Sequence, residues 1–193
     1  LLALIFVGMP IGVAMATTTI RIGTLITPLA RRRPWKVARE TVTLDRLSNG
    51  RFIFGVGLGD PVQWDFGFFH EQTDAKIRAA MLDESLEIIT SLWKGEPTSF
   101  SGKHYQHEEV IFKPAPLQTP RIPIWVAGVW KNQPPMRRAA RWDGYVPLNF
   151  DNMTPDQCRE AHAYINQHRT SPTPCDLVSA IMLPDDPAQA RER

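Results

Sequence analysis

Cysteine is nearly absent from this chain, with only Cys158 and Cys175 among 193 residues. Two cysteines outside any C-x-x-C pair exclude a disulfide-built scaffold and point to a reducing, cytoplasmic setting. A charge excess is also missing, since 22 basic residues face 20 acidic ones for a net +2. That balance argues against a nucleic-acid partner and against an acidic-substrate scavenger. His70, His104, His107, His162 and His168 are the five histidines, and none has metal-ligand spacing. His104 and His107 lack the helix and the glutamate that the H-E-x-x-H order needs, so no metal is expected. A G-x-S-x-G elbow, a P-loop, an internal repeat and a low-complexity tract are all missing too.

Long apolar runs are scarce. Leu1 to Ile20 carries no charge, but Gly8, Pro10 and Gly12 interrupt it and no basic residue precedes it. A membrane span or signal-peptide core is therefore disfavoured, and a buried helix remnant is the expectation for this start.

What is present alternates between strand and helix patterns. Ile20 to Thr27 reads as a strand rich in β-branched residues, and Pro34 opens a helix through Val37, Ala38, Thr41, Leu44 and Leu47. After the Ser48-Asn49-Gly50 turn, Phe52 to Gly57 is a continuous apolar run suited to a parallel strand buried on both faces. A long helix follows from Asp74, with Leu82, Leu86, Ile89 and Trp93 as its stripe and Gly95 as its stop. Ser99 to Phe112 breaks the rhythm and reads as a hairpin or excursion. The alternation then resumes with a strand at Ile122–Val126, a helix at Pro134–Trp142 and a strand at Tyr145–Leu148. Thr154 caps a helix ending near His168, and a strand at Asp176–Leu183 and a helix from Asp185 close the chain. Repeated strand–helix units imply parallel strands with right-handed crossovers. An open doubly wound sheet and a (β/α)8 barrel both fit, and a full barrel takes about 250 residues.

Certain strings narrow the choice. Arg21-Ile22-Gly23-Thr24-Leu25-Ile26-Thr27-Pro28, Leu44-Asp45-Arg46-Leu47-Ser48-Asn49-Gly50-Arg51 and Gly55-Val56-Gly57-Leu58-Gly59-Asp60 come first. Leu82-Asp83-Glu84, Leu92-Trp93-Lys94-Gly95, Gly102-Lys103-His104-Tyr105, Pro120 to Gly128 and Arg137 to Gly144 follow in order. Together they resemble the luciferase-like monooxygenase family, whose members use reduced FMN or the deazaflavin F420. The resemblance implies an α/β fold, a partial TIM-type (β/α)8 barrel with an excursion between strands and terminal strands missing. It also implies one such domain over residues 1–193, truncated at both ends. The implied activity is a flavin-dependent monooxygenase or oxidoreductase using reduced FMN. The alternatives are F420-dependent hydride transfer and a non-catalytic barrel subunit. A small-molecule substrate is expected, with a flavin reductase and a second copy of the chain as partner candidates and neither nucleic acid nor membrane.

Gly57, Leu58 and Gly59 end a strand where missing Cβ atoms would let backbone approach a flat ring, and Asp60 beside them would be the acid or hydrogen-bond partner. Read without the resemblance, the same glycines are a tight strand-to-loop exit. Thr24, Leu25 and Thr27 end the preceding strand, where the resemblance implies a bulge behind the ring with a cis bond at Thr24-Leu25, and where the residues alone read as an ordinary strand end. Ala127, Gly128, Val129 and Lys131 precede a helix start, a setting whose free N–H groups and dipole suit phosphate. Arg31, Arg32 and Arg33 read mostly as a solvated run. Trp64, Phe66, Phe68 and Phe69 are either a ring-capping cluster or core.

Overall fold

The structure is a computed structural model that describes residues 2–5, 10–148, 153–171 and 173–178. The chain forms two compact units, the first up to Ile124 and the second from Trp125.

The first unit opens with β1 (Leu2–Ile5) and α1 (Pro10–Ala16). Of the buried helix remnant expected over Leu1 to Ile20, α1 is a helix but largely exposed, whereas the four residues of β1 form a strand paired in parallel with Arg21–Thr24. A segment this short cannot close enough helical turns to nucleate, whereas it can add to an existing edge. Proline at the first position of α1 costs no hydrogen bond, because that N–H has no helical partner anyway. Next come β2 (Arg21–Thr24), β3 (Thr27–Pro28), α2 (Pro34–Leu47) and β4 (Phe52–Gly57). The single strand expected over Ile20 to Thr27 is split in two. β2 and β3 both pair in parallel with β4, the first at Gly23↔Ile53 and the second at Thr27↔Val56. Four steps on one side therefore face three on the other, which is a one-residue bulge.

Every residue of β4 is buried, as its unbroken apolar run required. Phe54 packs its ring edge-on to Trp93 at 6.0 Å, and Trp93 Nε1 donates to Ala38 O and Thr41 Oγ1. Phe52 and Phe54 thus face the helices, and alternation puts Ile53, Gly55 and Gly57 on the opposite face of the sheet. α2 ends in a tight reversal where Asn49 and Gly50 both have positive φ and Gly50 N–H reaches back to Asp45 O at 2.8 Å. Arg51 then ties the turn to the α1–β2 linker, donating to Ser48 O, Thr17 O, Ala14 O and Ile20 O.

Beyond β4 lie α3 (Val62–Asp65), α4 (Ala75–Trp93) and an antiparallel hairpin of β5 (Pro97–Ser101) and β6 (Gln106–Ile111), the expected excursion. Asp74 caps α4 by accepting from the Lys76 and Ile77 N–H groups.

The second unit is again strand–helix alternation: β7 (Ile124–Gly128), α5 (Gln133–Ala139), β8 (Gly144–Pro147), α6 (Pro155–Gln167) and β9 (Asp176–Leu177). β8 pairs in parallel with both β7 and β9. Thr154 and Gln157 form the expected capping box at the start of α6. The expected helix from Asp185 and the strand residues past Val178 lie outside the described residues.

Candidate functional site

The bulge between β2 and β3 is held by one hydroxyl. Thr24 Oγ1 accepts from Gly55 N–H at 3.1 Å and donates to Gly55 O at 2.8 Å, replacing the ladder bonds that the extra residue displaces. A Cβ on Gly55 would lie 1.9 Å from Thr24 O, so only glycine allows this approach. Leu25 and Ile26 occupy the bulge half-buried, and the cis peptide bond is Leu25–Ile26, one residue later than the expected Thr24–Leu25. The register explains the difference: the unpaired stretch runs from Thr24 to Ile26, and its middle lies past Thr24.

Thr24 and Thr27 share the lining of a cavity of about 330 Å³ with Val37, Leu44, Phe52 and Phe54. That cavity lies on the helix side of the sheet. Gly55 and Gly57 themselves are buried.

At the exit of β4, Gly57 is buried and Leu58 and Gly59 are half-buried. Gly59 has φ +83, and a Cβ there would meet Phe66 at 2.8 Å and Pro28 at 2.9 Å. Its missing side chain therefore makes room for protein atoms. Asp60 is exposed and precedes a cis bond to Pro61. The aromatic cluster divides. Phe66 is fully buried, whereas Trp64, Phe68 and Phe69 are more than half exposed, the first two edge-to-face at 5.2 Å.

Several residues that organise this exit escape a reading of strings and spacing. Arg78 on α4 is buried and donates to Leu58 O at 2.6 Å and Gly59 O at 3.1 Å. Its signal was visible as the position one turn before Leu82 on the apolar stripe, where a charge is out of place. Arg31 pairs with Asp65 at 2.8 Å and also donates to Asp65 O. Arg32 lies 3.7 Å from Glu40, while Arg31 and Arg33 are exposed, the latter near enough to act on the Tyr105 phenol.

In the second unit, Ala127 is buried and Val129 and Lys131 are exposed, with Lys131 at φ 69. Gly128 leaves space for Pro135, whose Cβ would lie 2.3 Å from an added methyl. Its carbonyl accepts from Tyr145 Oη–H at 3.0 Å and Leu148 N–H at 2.9 Å. Burial pushes the Tyr145 phenol up to about 12. α5 begins at Gln133, so its second and third residues are Pro134 and Pro135. Of the three first-turn N–H groups that a phosphate would use, two are absent. Lys131 borders a hollow of about 290 Å³ together with Trp130, Gln133, Met136, Glu160 and Tyr164. Glu160 brings an opposite charge to the same hollow. The phosphate expectation for this tip therefore rests on Lys131 and little backbone.

Among the described residues no cluster of metal ligands occurs, and no helix is long and apolar enough to cross a membrane.

The luciferase-like monooxygenase family profile matches residues 10–193. The chain belongs to this family. An F420-dependent glucose-6-phosphate dehydrogenase of Amycolatopsis mediterranei is 34% identical over 116 residues, which is 60% of this chain and 34% of the relative. A like-named enzyme of Gordonia bronchialis is 31% identical over 58% of this chain and 33% of its own length. The chain thus spans about a third of the curated relatives it matches. Among solved structures, the monooxygenase RslO1 from Streptomyces bottropensis superposes with TM-score 0.72 at 24% identity, over 95% of this chain and 57% of that one. The F420-dependent tetrahydromethanopterin reductase of Methanopyrus kandleri gives 0.67 at 23% identity, over 82% and 48%. The fold of this luciferase-like chain is accordingly part of a TIM-type barrel. The relatives named here are a dehydrogenase, a monooxygenase and a reductase.

Proposed function

We propose that this chain supplies ring-holding strands of an oxidoreductase that uses the deazaflavin F420. The carrying observation is the bulge itself: Thr24 is bound to Gly55, and half-buried Leu25 and Ile26 stand beside a strand exit at Gly57 and Leu58. Apolar side chains next to side-chain-free backbone suit a flat heteroaromatic ring, which gains dispersion and loses water on both faces. F420, when bound, supplies a two-electron hydride carrier. Leu25, Gly57, Leu58 and Gly59 would hold the ring. Taken by itself, the second unit would offer a phosphate the Lys131 ammonium and the exposed backbone at Val129. Asp60, exposed next to the exit, would hold or release a proton at its carboxylate during turnover.

F420 is preferred because curated relatives at 30–34% identity carry it in their names. A second reading takes reduced FMN and O2, with a flavin reductase as supplier. It is favoured by the fold shared with RslO1 and with the FMN-bound 3,6-diketocamphane monooxygenase of Pseudomonas putida, TM-score 0.65. A cytoplasmic setting accords with two free cysteines, and a small-molecule substrate with either cofactor.

Separate fluorescence titrations with F420 and FMN test the choice. Saturable binding of F420 with none of FMN is the expected result. Binding of FMN alone transfers the reading to the monooxygenase, and binding of neither removes the ring site.

A further inference from the structure

We infer that Arg78 is a positioning residue for the ring site: it sets the backbone of Leu58 and Gly59 through their carbonyls. The inference rests on the reading that the β4 exit holds a flavin-type ring.

Arg78 is 3% exposed. A guanidinium so placed has lost its hydration, and among the described residues no carboxylate pairs with it. Its compensation comes from three neighbours of one loop. Nη1 donates to Leu58 O at 2.6 Å and to Gly59 O at 3.1 Å, and Cζ stands 4.7 Å from the centre of the Phe66 ring. Nε is buried and makes no hydrogen bond. A methionine or leucine would continue the stripe of Leu82, Leu86 and Ile89 without burying any charge. Stability alone therefore gives no reason for arginine here.

The contacts interlock. Gly59 lacks the Cβ that would strike Phe66 at 2.8 Å, so the ring fits beneath the turn. Phe66, fully buried, lies within reach of the Arg78 guanidinium and, at 5.8 Å, that of Arg31. Arg78 closes the circuit by holding the carbonyl of the same Gly59. Charge-assisted bonds to two successive carbonyls orient both flanking peptide planes, so the turn needs no ligand to order it. A turn ordered in advance spares a ligand that ordering cost.

The test compares wild type with R78K and R78M. Hydrogen exchange over residues 58–66 and thermal unfolding are measured without cofactor, followed by F420 and FMN titrations. R78M is expected to speed exchange in that segment and weaken binding about tenfold, the effect of losing roughly one such bond. R78K should restore protection and most of the affinity, because its ammonium reaches the same carbonyls. A residue that merely filled space would behave alike as Met and Lys. Unchanged affinity in R78M, or weaker binding without faster exchange, overturns the inference. Should R78M not fold, F66L removes the stacked ring while leaving the arginine, and unchanged exchange and affinity there overturn it equally. Wild type that binds neither cofactor sinks the ring reading and this inference together. Wild type that binds while the variants match it sinks only the positioning role.

Discussion

A methyl group at Gly55 would land 1.9 Å from the carbonyl oxygen of Thr24, backbone against side chain with no rotamer to relieve it. Gly55→Ala is therefore expected to destabilise the first unit by about 2–4 kcal/mol, near the upper end for overpacking. Gly23→Ala serves as the comparison, since its nearest atom lies at 3.1 Å and small shifts can absorb it. Urea unfolding of both variants gives the test; equal midpoints would mean that the bulge yields easily. Thr24→Val asks a separate question. Valine keeps the shape but leaves Gly55 N–H and C=O without the hydroxyl, at a cost of about 1–3 kcal/mol for unsatisfied buried groups. Serine at the same position retains both bonds. T24S unfolding near wild type and T24V well below it would assign the effect to the hydroxyl.

At the scale of elements, the hairpin of β5 and β6 shows what the motif residues do. Both strands are largely exposed, and a two-stranded ribbon has little stability alone. Glu84 on α4 supplies the missing anchor: its carboxylate accepts from Lys103, His104 and Tyr105 N–H at 2.9 to 3.0 Å. Glu84→Gln keeps the volume but turns one acceptor into a donor and removes the charge, a loss of about 1.5–3 kcal/mol for the anchor. Hydrogen exchange at Gln106–Ile111 should then accelerate while the Leu86–Trp93 part of α4 keeps its protection. Uniform acceleration through both elements would refute a local anchor. The same arrangement bears on what was legible beforehand. Glu84 and the Gly102–Tyr105 string were recognisable as members of one pattern, yet their contact is long-range and neither string announces it. Periodicity located α2, β4 and α4 because a buried stripe repeats on every turn or every second residue. The bulge and its cis bond were anticipated only through the resemblance, and one residue early, because a one-residue excess appears only when two strands are set side by side. Arg78 escaped because a lone charge on an apolar stripe reads as the edge of the helix rather than as part of a site.

For the whole molecule, the buried ionisable groups set how it responds to alkali. Cys175 and Tyr105 are both raised chiefly by burial, and Tyr145 is raised to about 12 by the same cause. Each group is neutral when protonated, so the folded chain holds its proton to a higher pH than the unfolded chain does. Between the two values the unfolded state binds fewer protons, and stability falls as pH rises. The contribution is fully present below the ordinary thiol value of 9.0 for Cys175 and below 10.0 for the two phenols. It should decline from about pH 9 as the unfolded thiol ionises, then more steeply above pH 10, until about 12 for Tyr145. Tyr145→Phe tests the steeper arm. The variant forfeits the bond to Gly128 O, about 1 kcal/mol at neutral pH. It also has no proton to lose, so its stability should fall less between pH 10 and 11.5 than that of wild type, a range given as roughly the window of the shift. Urea midpoints at intervals across that window measure both effects in one series. Parallel curves for the two proteins would show that the alkaline loss arises elsewhere, whereas convergence toward high pH would place it on the phenol at the β8 strand.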